Sequence, residues 1–168
     1  MVYNKRWGGY KRSKYIKDNG VMTIALGNDH GGFELKEALI GHLKDKGCDI
    51  RDFGGYDACA SDYPDSAVPV CEAVLSGEAD LGILICGTGI GISISANKLR
   101  GIRCALCGDV FSARMARLHN NAQVLALGGR VVGVGHAFEI VDAFIGTAFS
   151  GEERHARRVG KIMKLENR

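Results

Sequence analysis

Proline is scarce in this chain, with 2 residues in 168, and there is a single tryptophan. Glycine, by contrast, reaches 24. Much glycine with little proline points to many tight loops between regular elements. The hydrophobic share of 46% and the charged share of 24% are ordinary for a globular domain. They exclude a disordered chain, a collagen-like chain and a coiled-coil rod. The length suits one domain that buries a core without disulfide or metal help. Residues 1–20 lack an apolar run, so neither a signal peptide nor a membrane anchor is expected there. Leu81 to Asn97 carries no charge, but it is too short and too glycine-rich for a transmembrane helix. A buried strand running into a helix explains it better.

Strong positive charge is also absent from the body. The formal net charge is +3. Residues 1–20 hold Lys5, Arg6, Lys11, Arg12, Lys14 and Lys17 against Asp18 alone. The remainder is slightly acidic, so it does not read as a basic nucleic-acid binder. We expect a flexible basic extension over 1–21 and a single α/β domain over 22–168. Binding of nucleic acid through the extension is a rival that truncation at Met22 would abolish. Six cysteines are present, without a dense framework. They read as reduced thiols of a cytoplasmic protein. Cys104-x-x-Cys107 is the one close pair, in an apolar run and without a second pair at zinc spacing, so it reads as core.

From Thr23 onward strand-like and helix-like segments alternate. Strands are expected at Thr23–Leu26, Cys48–Phe53, Leu81–Cys86, Arg103–Cys107 and Gln123–Leu127. Helices are expected over Phe33–Lys46, from Pro64 to Ser76, after Gly91 to about Leu99, from Asp109 to His119, over Gly133–Phe149 and over residues 152–166. In the helix over Gly133–Phe149 the spacing turns Phe138, Val141, Phe144, Ile145 and Ala148 inward. Such alternation argues a three-layer, doubly wound, Rossmann-like fold with a five-stranded parallel sheet. The order 2-1-3-4-5 places strands 1 and 3 side by side, and ligands bind at their carboxyl ends.

Two unusual loops leave those ends. Asn28-Asp29-His30-Gly31-Gly32 follows strand 1. Cys86-Gly87-Thr88-Gly89-Ile90-Gly91 follows strand 3 and opens a helix. Helix-start amides point at negative charge, and glycines let a ligand come close, so this loop is an anion cradle. It is not a Walker loop, because no Gly-Lys-Ser/Thr follows. It is not a good dinucleotide fingerprint either, which should follow strand 1 with an acidic residue about 20 positions on, a region that Leu106 and Cys107 fill here until Asp109. A phosphatase-type loop needs an arginine six residues after Cys86, where Ile92 stands. Cys86 sits at a helix start, where a thiolate is favoured. It can serve as nucleophile or base, or be a buried structural thiol. Asp29 and His30 border the same crevice, or cap and brace their own loop. His119 and Asn120 end the fourth helix, a plain C-terminal cap unless another subunit brings them to the crevice. Arg154 and Arg158 are four apart on one helical face and suit a phosphate or a solvated basic surface. Arg130 leaves the end of strand 5.

Taken together, several motifs resemble ribose-5-phosphate isomerase type B. They are Gly27-Asn28-Asp29-His30-Gly31-Gly32-Phe33-Glu34-Leu35-Lys36, Asp62-Tyr63-Pro64, Ile85-Cys86-Gly87-Thr88-Gly89-Ile90-Gly91, Ala96-Asn97-Lys98, His119-Asn120 and Gly129-Arg130. The wider family includes the subunits of galactose-6-phosphate isomerase. The likeness runs in order from about Thr23 to the C-terminus, and residues 1–21 fall outside it.

The resemblance implies interconversion of ribose 5-phosphate and ribulose 5-phosphate in the non-oxidative pentose phosphate pathway. It implies a cis-enediolate, with no metal and no cofactor. Cys86 matches the catalytic base, and Thr88 a residue that assists it. The amides of Gly87, Gly89, Ile90 and Gly91 match the anion hole. His119, with Asp29, matches ring opening. Tyr63 and Asn120 match sugar contacts, and His30, Arg130, Arg154 and Arg158 the phosphate grip. The family is dimeric with sites shared between chains, which implies a homodimer here and leaves a tetramer open. No nucleic acid or membrane is implied. An isomerase of a six-carbon aldose phosphate, such as allose or galactose 6-phosphate, is the nearest rival. A non-catalytic nucleotide-binding module is a distant one, kept open by Asp52 at the end of strand 2.

Overall fold

The computed structural model describes residues 16–17, 20–57 and 59–167. Of the extension expected over 1–21, only Ile16–Lys17 and Gly20–Val21 are described, and these form a two-residue antiparallel ladder. The rest of that expectation lies outside the described residues.

Five parallel strands form the sheet: β1 (Thr23–Asn28), β2 (Asp49–Asp52), β3 (Leu81–Cys86), β4 (Cys104–Leu106) and β5 (Val124–Gly128). Six helices accompany them: α1 (Phe33–Asp45), α2 (Tyr63–Ser76), α3 (Ile90–Ala96), α4 (Val110–Asn120), α5 (Val134–Ile145) and α6 (Glu153–Lys164). The spatial order is β2-β1-β3-β5-β4. The three-layer parallel fold and the β1–β3 neighbours therefore stand. The last two strands, however, are exchanged relative to the expected order. Burial explains the exchange. Every residue of β5 is buried, as in β3, so β5 needs a neighbour on each side. The three residues of β4 are half-buried or exposed and suit an edge.

Alternation along the strands sorts the core into two layers. Ile24, Leu26, Ile83, Ile85, Leu125 and Leu127 face α1, α4 and α5. The residues between them, including Ala25, Leu84, Cys86, Val124 and Ala126, face α2 and α3. The second face is built of smaller side chains, so α2 lies close to the sheet. A Cβ at Gly27 would stand 2.8 Å from Val70.

Helix ends follow local chemistry. Asp109 caps α4 by accepting from the Ser112 amide at 2.8 Å. Pro64 lies in the first turn of α2, where a missing N–H costs nothing. The fifth helix is shorter than expected, ending at Ile145 with Gly146 as its cap. Val141, Phe144 and Ile145 are buried as expected, but Ala148 is exposed beyond the helix. Phe138 is half-buried and stacks on His42. The chain past Ile145 turns back under α4, where the Ser150 amide donates to Leu118 O at 3.0 Å. That turn delivers α6 to the side of α4.

Candidate functional site

The carboxyl ends of β1, β3 and β5 carry three loops that touch backbone to backbone. The Asp29 amide donates to Ile85 O at 3.1 Å, and the Gly129 amide to Cys86 O at 2.8 Å. The Arg130 amide donates to Gly87 O at 3.0 Å. A Cβ at Gly31 would stand 2.8 Å from Gly87 N, and one at Gly129 would stand 2.6 Å from Gly31 O. No side chain fits between these loops, which is why the sequence places glycine on all of them.

Cys86 ends β3 and is 4% exposed. Its Sγ accepts a hydrogen bond from the Gly89 amide at 3.0 Å. That N–H aims its positive end at the sulfur, an arrangement that suits a thiolate. Gly89 has φ +78°, and a Cβ there would press on Leu106 and Leu127. The turn of the chain around the sulfur thus depends on that glycine. The Thr88 hydroxyl accepts from the Ile90 amide at 3.3 Å and is exposed at the mouth. Cys71 in α2 and Cys107 after β4 are buried thiols outside this loop. Burial pushes Cys71 up to about 12 and Cys107 up to about 11, with nearby carboxylates adding to it.

Around this sulfur stand the side chains that the first loop and α2 contribute. Asp29 is buried, and its Oδ1 accepts from the Gly31 amide at 2.8 Å. His30 is exposed, with Nδ1 3.5 Å from the Ser61 amide. The Tyr63 ring lies over Gly91, where a Cβ would meet its Cζ at 2.7 Å. The Arg130 guanidinium reaches over Gly87, 3.6 Å from where a Cβ would stand. Asp29, His30, Tyr63, Cys86, Arg130 and the amides of residues 87–91 therefore lie on or against the loops at one end of the sheet.

The remaining expected residues gather at the other end of the sheet. His119 and Asn120 close α4, just before the amino end of β5. The His119 ring stacks on His155 of α6 at 4.2 Å. Burial holds His119 below the ordinary histidine range, and the neighbouring His155, Arg154 and Arg158 add to that shift. Arg154 is exposed and pairs with Glu152 at 2.7 Å. His119, Arg154 and Arg158 thus form a second cluster, distant from Cys86 within one chain. The Arg103 guanidinium donates to Asn120 O at 3.1 Å and to Asn121 O at 2.8 Å, fixing this turn. A groove of about 650 Å³ opens beside it, with Asn120, Lys98, Arg100, Arg103 and Ile162 in its wall and no residue of the Cys86 loop.

Two residues to which the motifs assign no role, Lys36 and Ser66, brace these loops. Lys36 is fully buried in α1, and its Nζ donates to both carboxylate oxygens of Asp52, at 3.0 and 2.9 Å. It also reaches the carbonyls of Gly54 and Gly55. Asp52 is thus held by Lys36 rather than offered to a nucleotide ribose. Ser66 of α2 donates to Asn28 O at 2.7 Å, tying α2 to the end of β1. Among the described residues no three His, Cys, Asp or Glu side chains gather as a metal site. Nor is any helix among them long and apolar enough to cross a membrane.

The chain matches the family model described as Ribose/Galactose Isomerase over residues 24–162. It is 48% identical over 148 residues to ribose-5-phosphate isomerase B of Escherichia coli K12, covering 88% of this chain and 99% of that one. It is 43% identical over 147 residues to ribose-5-phosphate isomerase B of Mycobacterium tuberculosis H37Rv, covering 86% and 90%. Among solved structures it is similar to Clostridium thermocellum ribose-5-phosphate isomerase B, with a TM-score of 0.85 and 52% identity over 87% of this chain and 98% of that one. It is also similar to the Mycoplasma genitalium isomerase B with bound ribulose-5-phosphate, with a TM-score of 0.82 and 41% identity over 87% and 97%.

Proposed function

The chain belongs to the ribose/galactose isomerase family, and from that premise we infer an aldose–ketose isomerase that interconverts D-ribose 5-phosphate and D-ribulose 5-phosphate. The observation that carries the mechanism is the Gly89 amide held on Cys86 Sγ at 3.0 Å, at the head of a glycine-lined crevice.

Once the furanose ring is open, the Cys86 thiolate removes the proton on carbon 2. The C–H electron pair forms the C1=C2 bond, and the aldehyde oxygen takes the negative charge. A proton alpha to a carbonyl is only weakly acidic, so this enediolate must be stabilised. Preorganised amide dipoles of residues 87–91 do this without reorganising during the reaction. The thiol then returns its proton to carbon 1, and the proton on O2 passes to O1, giving the ketose. A single sulfur that takes one proton and gives it back serves both halves of the reaction. Thr88 assists at the mouth. Tyr63 binds a sugar hydroxyl, and His30 and Arg130 hold substrate oxygens on the same side.

Ring opening falls to His119 with Asp29, and the phosphate grip is completed by Arg154 and Arg158, with Asn120 on a hydroxyl. The separation of the two clusters within one chain supports a homodimer in which each site takes Cys86 from one copy and His119 from the other. Ile90 and Ile94 of α3 and Leu106 of β4 are exposed apolar residues beside the Cys86 loop. They offer a surface for that second copy. We place the enzyme in the cytoplasm, in the non-oxidative branch of pentose phosphate metabolism. Ribose 5-phosphate turnover by the wild type and by Cys86→Ala tests the reading, with a six-carbon aldose phosphate as the alternative substrate.

A further inference from the structure

His119 has a neighbour to which no role has been given. The ring of His155 lies face to face with it, centroids 4.2 Å apart and planes 4° apart. His155 is 4% exposed, and its Nε2 has no hydrogen-bond partner. The nearest acid is Glu152, with Oε2 at 3.9 Å. A buried ring nitrogen without a partner is costly, so its burial calls for a compensating use. Its backbone is fixed independently, because the His155 amide donates to Glu152 O at 2.9 Å in the first turn of α6. The ring is thus a rigid surface, and His119, which is only half-buried, is the movable partner.

We propose that His155 is a positioning residue for ring opening. Its buried ring is a platform that fixes the plane of His119, the imidazole that exchanges protons with the sugar. This rests on the reading of His119 as the ring-opening residue. Ring opening breaks the bond between carbon 1 and the ring oxygen and makes the carbon 1 carbonyl. One proton leaves the carbon 1 hydroxyl and one arrives at the ring oxygen. A neutral imidazole can take the first and its conjugate acid can supply the second. Two parallel imidazoles at this spacing do not readily carry two charges. The groups facing His119 all come from α6 and the residue before it: Glu152, Arg154, His155 and Arg158. Three of them oppose a positive His119, and only Glu152 favours it.

Two assays on the full chain separate the steps. Turnover of ribose 5-phosphate needs ring opening. Deuterium entry at carbon 1 of ribulose 5-phosphate, an open-chain ketose, needs only enolisation. His155→Ala is expected to cut turnover by about 10²-fold, the cost of a misplaced catalytic group, while exchange stays within about twofold. His155→Phe keeps an aromatic platform without a charge. It is expected to retain most of the turnover that His155→Ala loses, because the stacking surface under His119 is kept. Equal losses in both assays for His155→Ala, no loss at all, or a turnover loss in His155→Phe as large as in His155→Ala overturns the proposal. His119→Ala distinguishes the levels. If it keeps ribose 5-phosphate turnover, the ring-opening reading and this inference fall together. If it loses turnover while His155→Ala does not, only the platform falls.

Discussion

Cys86 and His119 stand at opposite ends of one sheet. Cys86 closes β3 beside Gly128 at the carboxyl edge. His119 closes α4 on the side where β5 begins. An active site that uses both residues would draw them from two copies of the chain.

Mixing Cys86→Ala and His119→Ala homodimers, each inactive, is therefore expected to restore activity after subunit exchange. Random pairing makes half the dimers mixed, and each mixed dimer has one intact site, so about a quarter of wild-type activity should return. No recovery, with exchange shown by native mass spectrometry, would contradict the shared site.

Burial and neighbouring cations keep His119 neutral to lower pH than an ordinary histidine. If the reaction uses the neutral imidazole, activity persists as pH falls and is lost only as His119 takes a proton. The acid limb of kcat/KM should therefore lie below ~6.5, the value of an unperturbed histidine. High salt should move the limb up by screening Arg154 and Arg158. A pH–rate profile with its acid limb at or above that value would count against this assignment.

Lys36→Met removes one partner of a buried ion pair and leaves Asp52 facing the carbonyls of Gly54 and Gly55. The expected loss is about 3–5 kcal/mol. The double variant Lys36→Met with Asp52→Asn should recover part of it, since the stranded charge is gone. Urea unfolding of the three proteins checks this, and a loss below about 1 kcal/mol in the single variant would mean that the pair is idle.

Gly89→Ala places a side chain at φ +78° against Leu106 and Leu127. The loop must shift, and the amide on Cys86 Sγ shifts with it. A fall of about 10²-fold in kcat, with KM little changed, is expected from steady-state kinetics. An unchanged kcat would show that this amide does not serve the sulfur.

The parallel sheet, both loops and the crevice between β1 and β3 were legible because buried strands and glycine turns leave local marks. Leu81–Cys86 emerged with its observed bounds for that reason. The exchange of β4 and β5 was not legible. Cys104–Leu106 and Val124–Gly128 are both apolar, and only the folded sheet shows which one is covered on both sides. Lys36 ends a motif in the sequence without a role of its own, although it lies three and seven residues before Leu39 and Leu43 on the buried stripe of α1. That spacing was the available clue. His155 was hidden among the arginines of a basic helix, since nothing in its spacing tells that α6 turns this ring toward α4.

The most direct measurement is proton NMR of ribose 5-phosphate with the purified protein in deuterated buffer containing EDTA. The account predicts ribulose 5-phosphate formation with deuterium entering carbon 2 of the aldose. Both should vanish in Cys86→Ala, a loss of at least about 10²-fold for removal of the base. Isomerisation and exchange that persist in Cys86→Ala, or a wild type that leaves ribose 5-phosphate untouched, would contradict it.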